Sequence, residues 1–151
     1  MVLALCLGLV VWSLWPVRAV QIVNDTRQQT IARLAARDGA PLRLSYVHSI
    51  YQQPGSEEFA VQPDGLELVR LASPSVAVLE YYARPEPILL AGEAYEIRPQ
   101  PQRYAQLSVR VGPVGRRTVV YAGHELALHE LAADGDRVTL QVVQVPRLAL
   151  W

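Results

Sequence analysis

Tyr104-Ala105-Gln106-Leu107-Ser108-Val109-Arg110-Val111 sets the period of this chain. Ala105, Leu107, Val109 and Val111 alternate with Tyr104, Gln106, Ser108 and Arg110. Successive side chains of a strand point to opposite faces, so the stretch describes a strand with one face in a core and one in solvent. Val138, Leu140 and Val142 alternate with Arg137, Thr139 and Gln141 in the same way. Leu42, Leu44 and Tyr46 alternate with Arg43, Ser45 and Val47, less cleanly.

Turn chemistry separates these runs. Asp38-Gly39, Asp64-Gly65 and Asp134-Gly135 are Asp-Gly pairs, favoured where a hairpin needs positive backbone angles, and Pro63 strengthens the second. Ala91-Gly92 and Gly112-Pro113-Val114-Gly115 mark two more reversals. Strands are expected near Val20–Asn24, Leu42–Ile50, Glu58–Gln62, Leu66–Leu71, Val76–Tyr82, Ala94–Arg98, Tyr104–Val111, Thr118–Tyr121 and Arg137–Val145. Gln28 to Ala36 carries Ile31, Leu34 and Ala35 at helical spacing, but it is short and Asp38-Gly39 follows, which favours a strand. Val143 and Val145 shift the alternation by one after Val142, and a bulge is expected there. The fold class is all-β: an antiparallel sandwich or barrel-like domain of about 8–10 short strands.

The other end of the chain is of a different kind. Met1 to Val17 is apolar, without a charged side chain, and Arg18 follows. A spanning helix needs about 17–25 such residues, so the run is just long enough. Trp12 and Trp15 suit a lipid headgroup interface, which fits an N-terminal hydrophobic helix acting as an anchor. A cleaved export signal ending at Ala19 is the competing reading. Either way the chain divides into a leader, residues 1–19, and a single β-domain, residues 20–151. Cys6 is the only cysteine, so an intrachain disulfide is ruled out.

Formal net charge is zero, and all the basic residues are arginine. No basic stripe is present, so nucleic acid is not an expected partner. His124 and His129 are five apart, not four, and do not form the metal-binding histidine pair of a helix. No metal or cofactor is expected. No Gly-x-Ser-x-Gly elbow is present, and no catalytic residue is assigned.

The densest unusual chemistry runs from Tyr46 to Phe59. A continuing strand puts His48 on the face of Leu44, Tyr46 and Ile50. A histidine on an apolar face needs a hydrogen-bond partner, and Glu57 or Glu58, returning across a Pro54-Gly55 loop, is the expected one. Two readings stay open. Tyr46, His48, Ser49, Glu57 and Glu58 form a ligand or partner site, or His48 is a satisfied buried histidine that locks a loop. His48 with either glutamate as acid and base is the one route to a hydrolase, and it lacks a nucleophile motif. Tyr81-Tyr82, with Pro85, Glu86 and Pro87 behind it, could line a groove, but it reads first as a strand end followed by a proline-held loop.

The pattern Leu42, Leu44, Tyr46, His48-Ser49, then Pro54 and Glu57-Glu58, resembles a bacterial family called domain of unknown function 1850. The turn at Asp64-Gly65-Leu66 and the strand at Arg137-Val138 also fit it. Many relatives carry a Gly-Ala-Gly-like stretch where this chain has Tyr81-Tyr82-Ala83-Arg84-Pro85. The family is similar to exported proteins encoded beside TAXI-type TRAP transporters. The resemblance thus implies a non-enzymatic accessory protein of the bacterial inner membrane, its β-domain facing the periplasm, or free in the periplasm if the leader is cleaved. The implied partners are the membrane, through the N-terminal helix, and the transporter's membrane subunit or solute-binding protein. A small-ligand-binding or chaperone-like periplasmic domain unrelated to transport is the alternative.

Overall fold

In a computed structural model that describes residues 12–150, the period-two runs become strands of two antiparallel sheets. The smaller sheet is ordered β2 (Gln29–Ala35), β1 (Pro16–Asn24), β12 (Arg137–Pro146) and β9 (Gln106–Arg110). The larger runs β11 (His124–Ala127), β10 (Thr118–Tyr121), β3 (Pro41–Val47), β4 (Pro54–Gln62), β5 (Gly65–Ser73), β7 (Ala94–Ile97) and β6 (Leu89–Ala91). A further short strand, β8 (Gln102–Tyr104), also pairs with β5.

Both sheets give one face to a single core. Val20, Ile22, Val138 and Leu140 come from the smaller sheet, and Leu42, Leu44, Phe59, Val61, Leu66 and Val119 from the larger. This is a β-sandwich-like arrangement. Tyr121 is buried, and its hydroxyl pins the layers together. It donates to the Ala35 carbonyl at 3.0 Å and accepts from the Arg37 N–H at 3.0 Å. At one end, Asp136 Oδ2 accepts from Asn24 Nδ2 (2.7 Å), Arg27 Nε (2.9 Å) and the Ala133 N–H (3.0 Å). That carboxylate ties the β1–β2 turn to the loop entering β12.

Several expectations are corrected. Twelve strands form among the described residues, against eight to ten expected, because β6 and β11 carry no clear alternation and one expected strand is split. The split falls at Ala105, where β8 leaves the larger sheet and β9 joins the smaller one. Sandwich corners are made by strands that switch sheets at a bend, and the inside–outside order breaks at this one: Tyr104 packs on the core and Ala105 is exposed, the reverse of the expected faces. Val76–Glu80 is a short helix, α1, not a strand. Its apolar residues suit either form, and burial of adjacent Val78 and Leu79 decides for the helix. The strand expected to reach Ile50 stops at Val47.

The β12–β1 ladder is continuous from Pro16↔Pro146 to Asn24↔Val138, so no bulge sits at Val143. Beyond Gln141 the strand β12 has left β9 behind, and Val142 and Val143 are both half-buried. The bulges lie instead at Ile22/Val23 and Glu58/Phe59. Of the Asp-Gly pairs, Gly39 (φ 72°) and Gly135 (φ 84°) take positive angles. Gly65 already pairs with Gln62, so that turn is Pro63-Asp64.

The expected leader, residues 1–19, overlaps the first strand. Residues 1–11 of the expected N-terminal helix lie outside the described residues. Trp12 to Leu14 form one helical turn, and Pro16 to Ala19 belong to β1. Among the described residues no helix is long and apolar enough to cross a membrane.

Candidate functional site

The site forms where β9, the edge strand of the smaller sheet, stands off from β3 and β4. A cleft of about 600 Å³ opens there. Tyr46, His48, Ser49 and Glu57 line it, together with Tyr82 and Arg117. Four of the five expected site residues are thus brought together. Glu58 is not one of them. Neighbours on a strand face opposite sides, and Glu58 turns to the outer face, where Arg70 Nη1 donates to it at 3.2 Å.

His48 lies just past the end of β3. Its N–H donates to the Gln53 carbonyl and its carbonyl accepts from the Gln52 N–H, both at 2.8 Å, which closes the turn. Nδ1 accepts the backbone N–H groups of Ile50 (3.3 Å) and Tyr51 (3.4 Å). An acceptor role at Nδ1 leaves the proton of the neutral ring on Nε2. The ring stacks on Tyr51, centroids 5.0 Å apart, and meets Tyr81 edge-on at 4.7 Å. The expected glutamate partner is therefore replaced by the turn's own backbone. His48 is buried with its Nδ1 satisfied by the turn, and it also forms part of the cleft wall. Pro54-Gly55, expected as a loop, is the start of β4.

Glu57 has a different partner. Tyr82 donates its hydroxyl to Glu57 Oε1 at 2.8 Å, and the Tyr46 and Tyr82 hydroxyls are 2.5 Å apart. A phenol has one proton. Tyr82 gives its own to Glu57, so Tyr46 must donate to Tyr82. The chain Tyr46→Tyr82→Glu57 has one direction and ends on a carboxylate. Burial pushes the Glu57 carboxyl above its usual range, against the Tyr82 hydrogen bond and the Arg117 charge. Burial, then the Glu57 charge, drives the Tyr82 hydroxyl far above the normal phenol range. Burial raises Tyr46 as well.

Two glycines make room for this arrangement. Tyr46 lies across Gly55, its register partner, and a Cβ at Gly55 would stand 2.5 Å from the Tyr46 ring and hydroxyl. A Cβ at Gly115 would stand 2.9 Å from Arg117 Nη1. That guanidinium donates to the Arg110 carbonyl at 2.7 Å. Leu44, Val47, Leu107 and Val109 supply the apolar part of the cleft wall. A second cavity of about 280 Å³ lies beside Glu57 and Tyr82, among Phe59, Leu68 and Tyr104.

Arg117 was not legible as a site residue, and Tyr82 was legible only as part of a stretch that could line a groove, not as the partner of Glu57. Read as a strand end, Tyr82 had no defined direction. The one-turn helix α1 aims it at β4. Arg117 lies in a loop whose course no sequence period fixes. His124 is exposed on β11, and His129 belongs to a second short helix, α2 (Leu128–Leu131). Among the described residues no group of three or more His, Cys, Asp or Glu is placed to hold a metal ion.

The family model described as Domain of unknown function (DUF1850) matches residues 42–128, more than half of the chain. The chain belongs to this family. The DUF1850 match runs from β3 to the start of α2, and it takes in Tyr46, His48, Ser49, Glu57, Tyr82 and Arg117 together. The β1, β2 and β12 strands lie outside it. No curated protein and no solved structure matches the chain.

Proposed function

We propose that this domain binds a small ligand in the cleft between β9 and the β3–β4 hairpin, without catalysing a reaction. One observation carries the reading: the cleft is open beside a polar chain, Tyr46→Tyr82→Glu57, whose charged end is not consumed by an internal ion pair. Its volume falls within the roughly 300–1,000 Å³ typical of small-molecule sites. His48 borders that open space rather than being sealed away from it. The non-enzymatic part follows the family resemblance, with no nucleophile motif in the sequence to favour a hydrolase.

The setting we propose is the periplasmic face of a bacterial inner membrane, beside a TRAP-type transporter. The family resemblance supports the transporter, and the apolar run up to Val17 supports the membrane. Trp12, Leu14, Trp15 and Leu148 are exposed, and they gather at one edge: the Arg147 N–H donates to the Trp15 carbonyl, and the Arg147 guanidinium lies 4.5 Å above the Trp12 ring. Tryptophan and arginine at such an edge suit a headgroup layer.

Ligand-detected NMR of the full chain in detergent micelles, screened against small polar metabolites, tests the binding reading. Ser49→Trp is the control, because Ser49 is exposed at the cleft and a bulky ring there obstructs it without disturbing the core. Hits lost in Ser49→Trp are expected. A screen without hits, or hits indifferent to that substitution, would count against the cleft.

A further inference from the structure

Glu57 and Arg117 line one cleft without a direct ion pair, and Arg117 acts on the Glu57 carboxyl only through space. Among the described residues neither takes part in an ion pair within 4.0 Å. Each is instead held by a neutral group: Glu57 by the Tyr82 hydroxyl, Arg117 by the Arg110 carbonyl. Gly115 leaves the guanidinium its place. Two opposite charges that line one cleft without pairing are each incompletely compensated, and a half-buried charge gains most from a partner that arrives with the ligand.

The donor and acceptor count narrows the ligand. Tyr46 spends its proton on Tyr82, so its oxygen keeps acceptor lone pairs beside the Glu57 carboxylate. That end of the cleft therefore accepts hydrogen bonds. The Arg117 end only donates. A plain anion that reaches Arg117 also meets the Glu57 charge, and a plain cation at Glu57 meets Arg117. A molecule with both charges satisfies both ends and disfavours its singly charged analogues. Leu44, Val47, Leu107 and Val109 between them suit an aliphatic body.

We propose that the cleft takes a small zwitterion with an aliphatic body, of the α-amino-acid class, its ammonium toward Glu57 and Tyr46 and its carboxylate toward Arg117. This rests on the cleft being a binding site at all. Titration calorimetry of the full chain in detergent micelles compares three probes of like shape: L-leucine, isovalerate and isoamylamine. Leucine is expected to bind at least about tenfold more tightly than either analogue. Arg117→Gln should bring leucine down to the level of isoamylamine, and Glu57→Gln to the level of isovalerate, with thermal unfolding showing both variants folded. Isovalerate or isoamylamine binding as tightly as leucine overturns the zwitterion, as does leucine binding indifferent to Arg117→Gln. Silence from all three probes, while the metabolite screen still gives Ser49-dependent hits, overturns the ligand class and leaves the cleft reading standing. Silence in both experiments overturns the two together.

Discussion

Tyr82 stands between two groups that depend on it. Tyr82→Phe removes the donor to a buried carboxylate and the acceptor for Tyr46 in one step. Leaving a buried charged acceptor unpaired costs about 1–3 kcal/mol, and the loss of a neutral pair about 0.5–1.5 kcal/mol. Tyr82→Phe should therefore destabilise by about 1–3 kcal/mol and Tyr46→Phe by less, both read from urea midpoints. Equal losses would mean that the chain does not run toward Glu57. The carboxyl itself gives a pH dependence of known sign. Burial raises Glu57 above its unfolded value, so its contribution to stability is fully present at acid pH and fades as pH rises through the raised value. Glu57→Gln removes that loss. The variant should gain on the natural protein as pH goes from about 4 to about 7, and a constant difference in urea midpoint across that interval would refute the burial argument.

The β3–β4 hairpin is the element that builds the site, and its fit depends on a missing side chain. Gly55→Ala puts a methyl 2.5 Å from the Tyr46 ring, which the ring can avoid only by leaving Tyr82. Such overpacking costs typically about 1–3 kcal/mol. Denaturant unfolding should show that loss, and a double variant with Tyr46→Phe should recover little of it, because the clash includes ring carbon. The same hairpin shows how far the sequence could be read. Alternation in Leu42-Arg43-Leu44 fixed the buried face of β3, and Leu107 and Val109 fixed that of β9, since a period of two leaves one assignment of faces. Tyr46, His48, Ser49 and Glu57 were identifiable because polar groups on an apolar strand need partners. The partners themselves were not. His48 turned to its own backbone because the strand ended one residue earlier, and Glu57 found Tyr82 through a helix too short to carry a period. The corner at Ala105 left no trace, because a small apolar residue keeps the written alternation going although the bend exposes it.

At the scale of the whole molecule, β1 limits where any leader could end. Pro16 to Ala19 pair with Pro146 to Val143 on one side, and Ala19 pairs with Ala35 on the other. The Arg18 carbonyl accepts the Ala36 N–H, and its guanidinium meets the Asp38 carboxylate at 2.7 Å. Ala19 and Val20 are fully buried. Cleavage after Ala19 would strip those rungs from the central ladder and create a charged amine at Val20, inside the core. An unpaired buried charge of that kind costs several kcal/mol or neutralises itself by losing its proton. The exposed Trp12, Leu14, Trp15 and Leu148 lie at the edge where this strand begins, where an anchor would deliver the domain to lipid. Mass spectrometry and N-terminal sequencing of the protein recovered from the producing cell's membrane fraction should accordingly find Pro16 to Ala19 retained. A mature chain starting at Val20 would mean that β1 does not begin where the ladder places it, and the edge proposed to meet the membrane would lose its attachment to the domain.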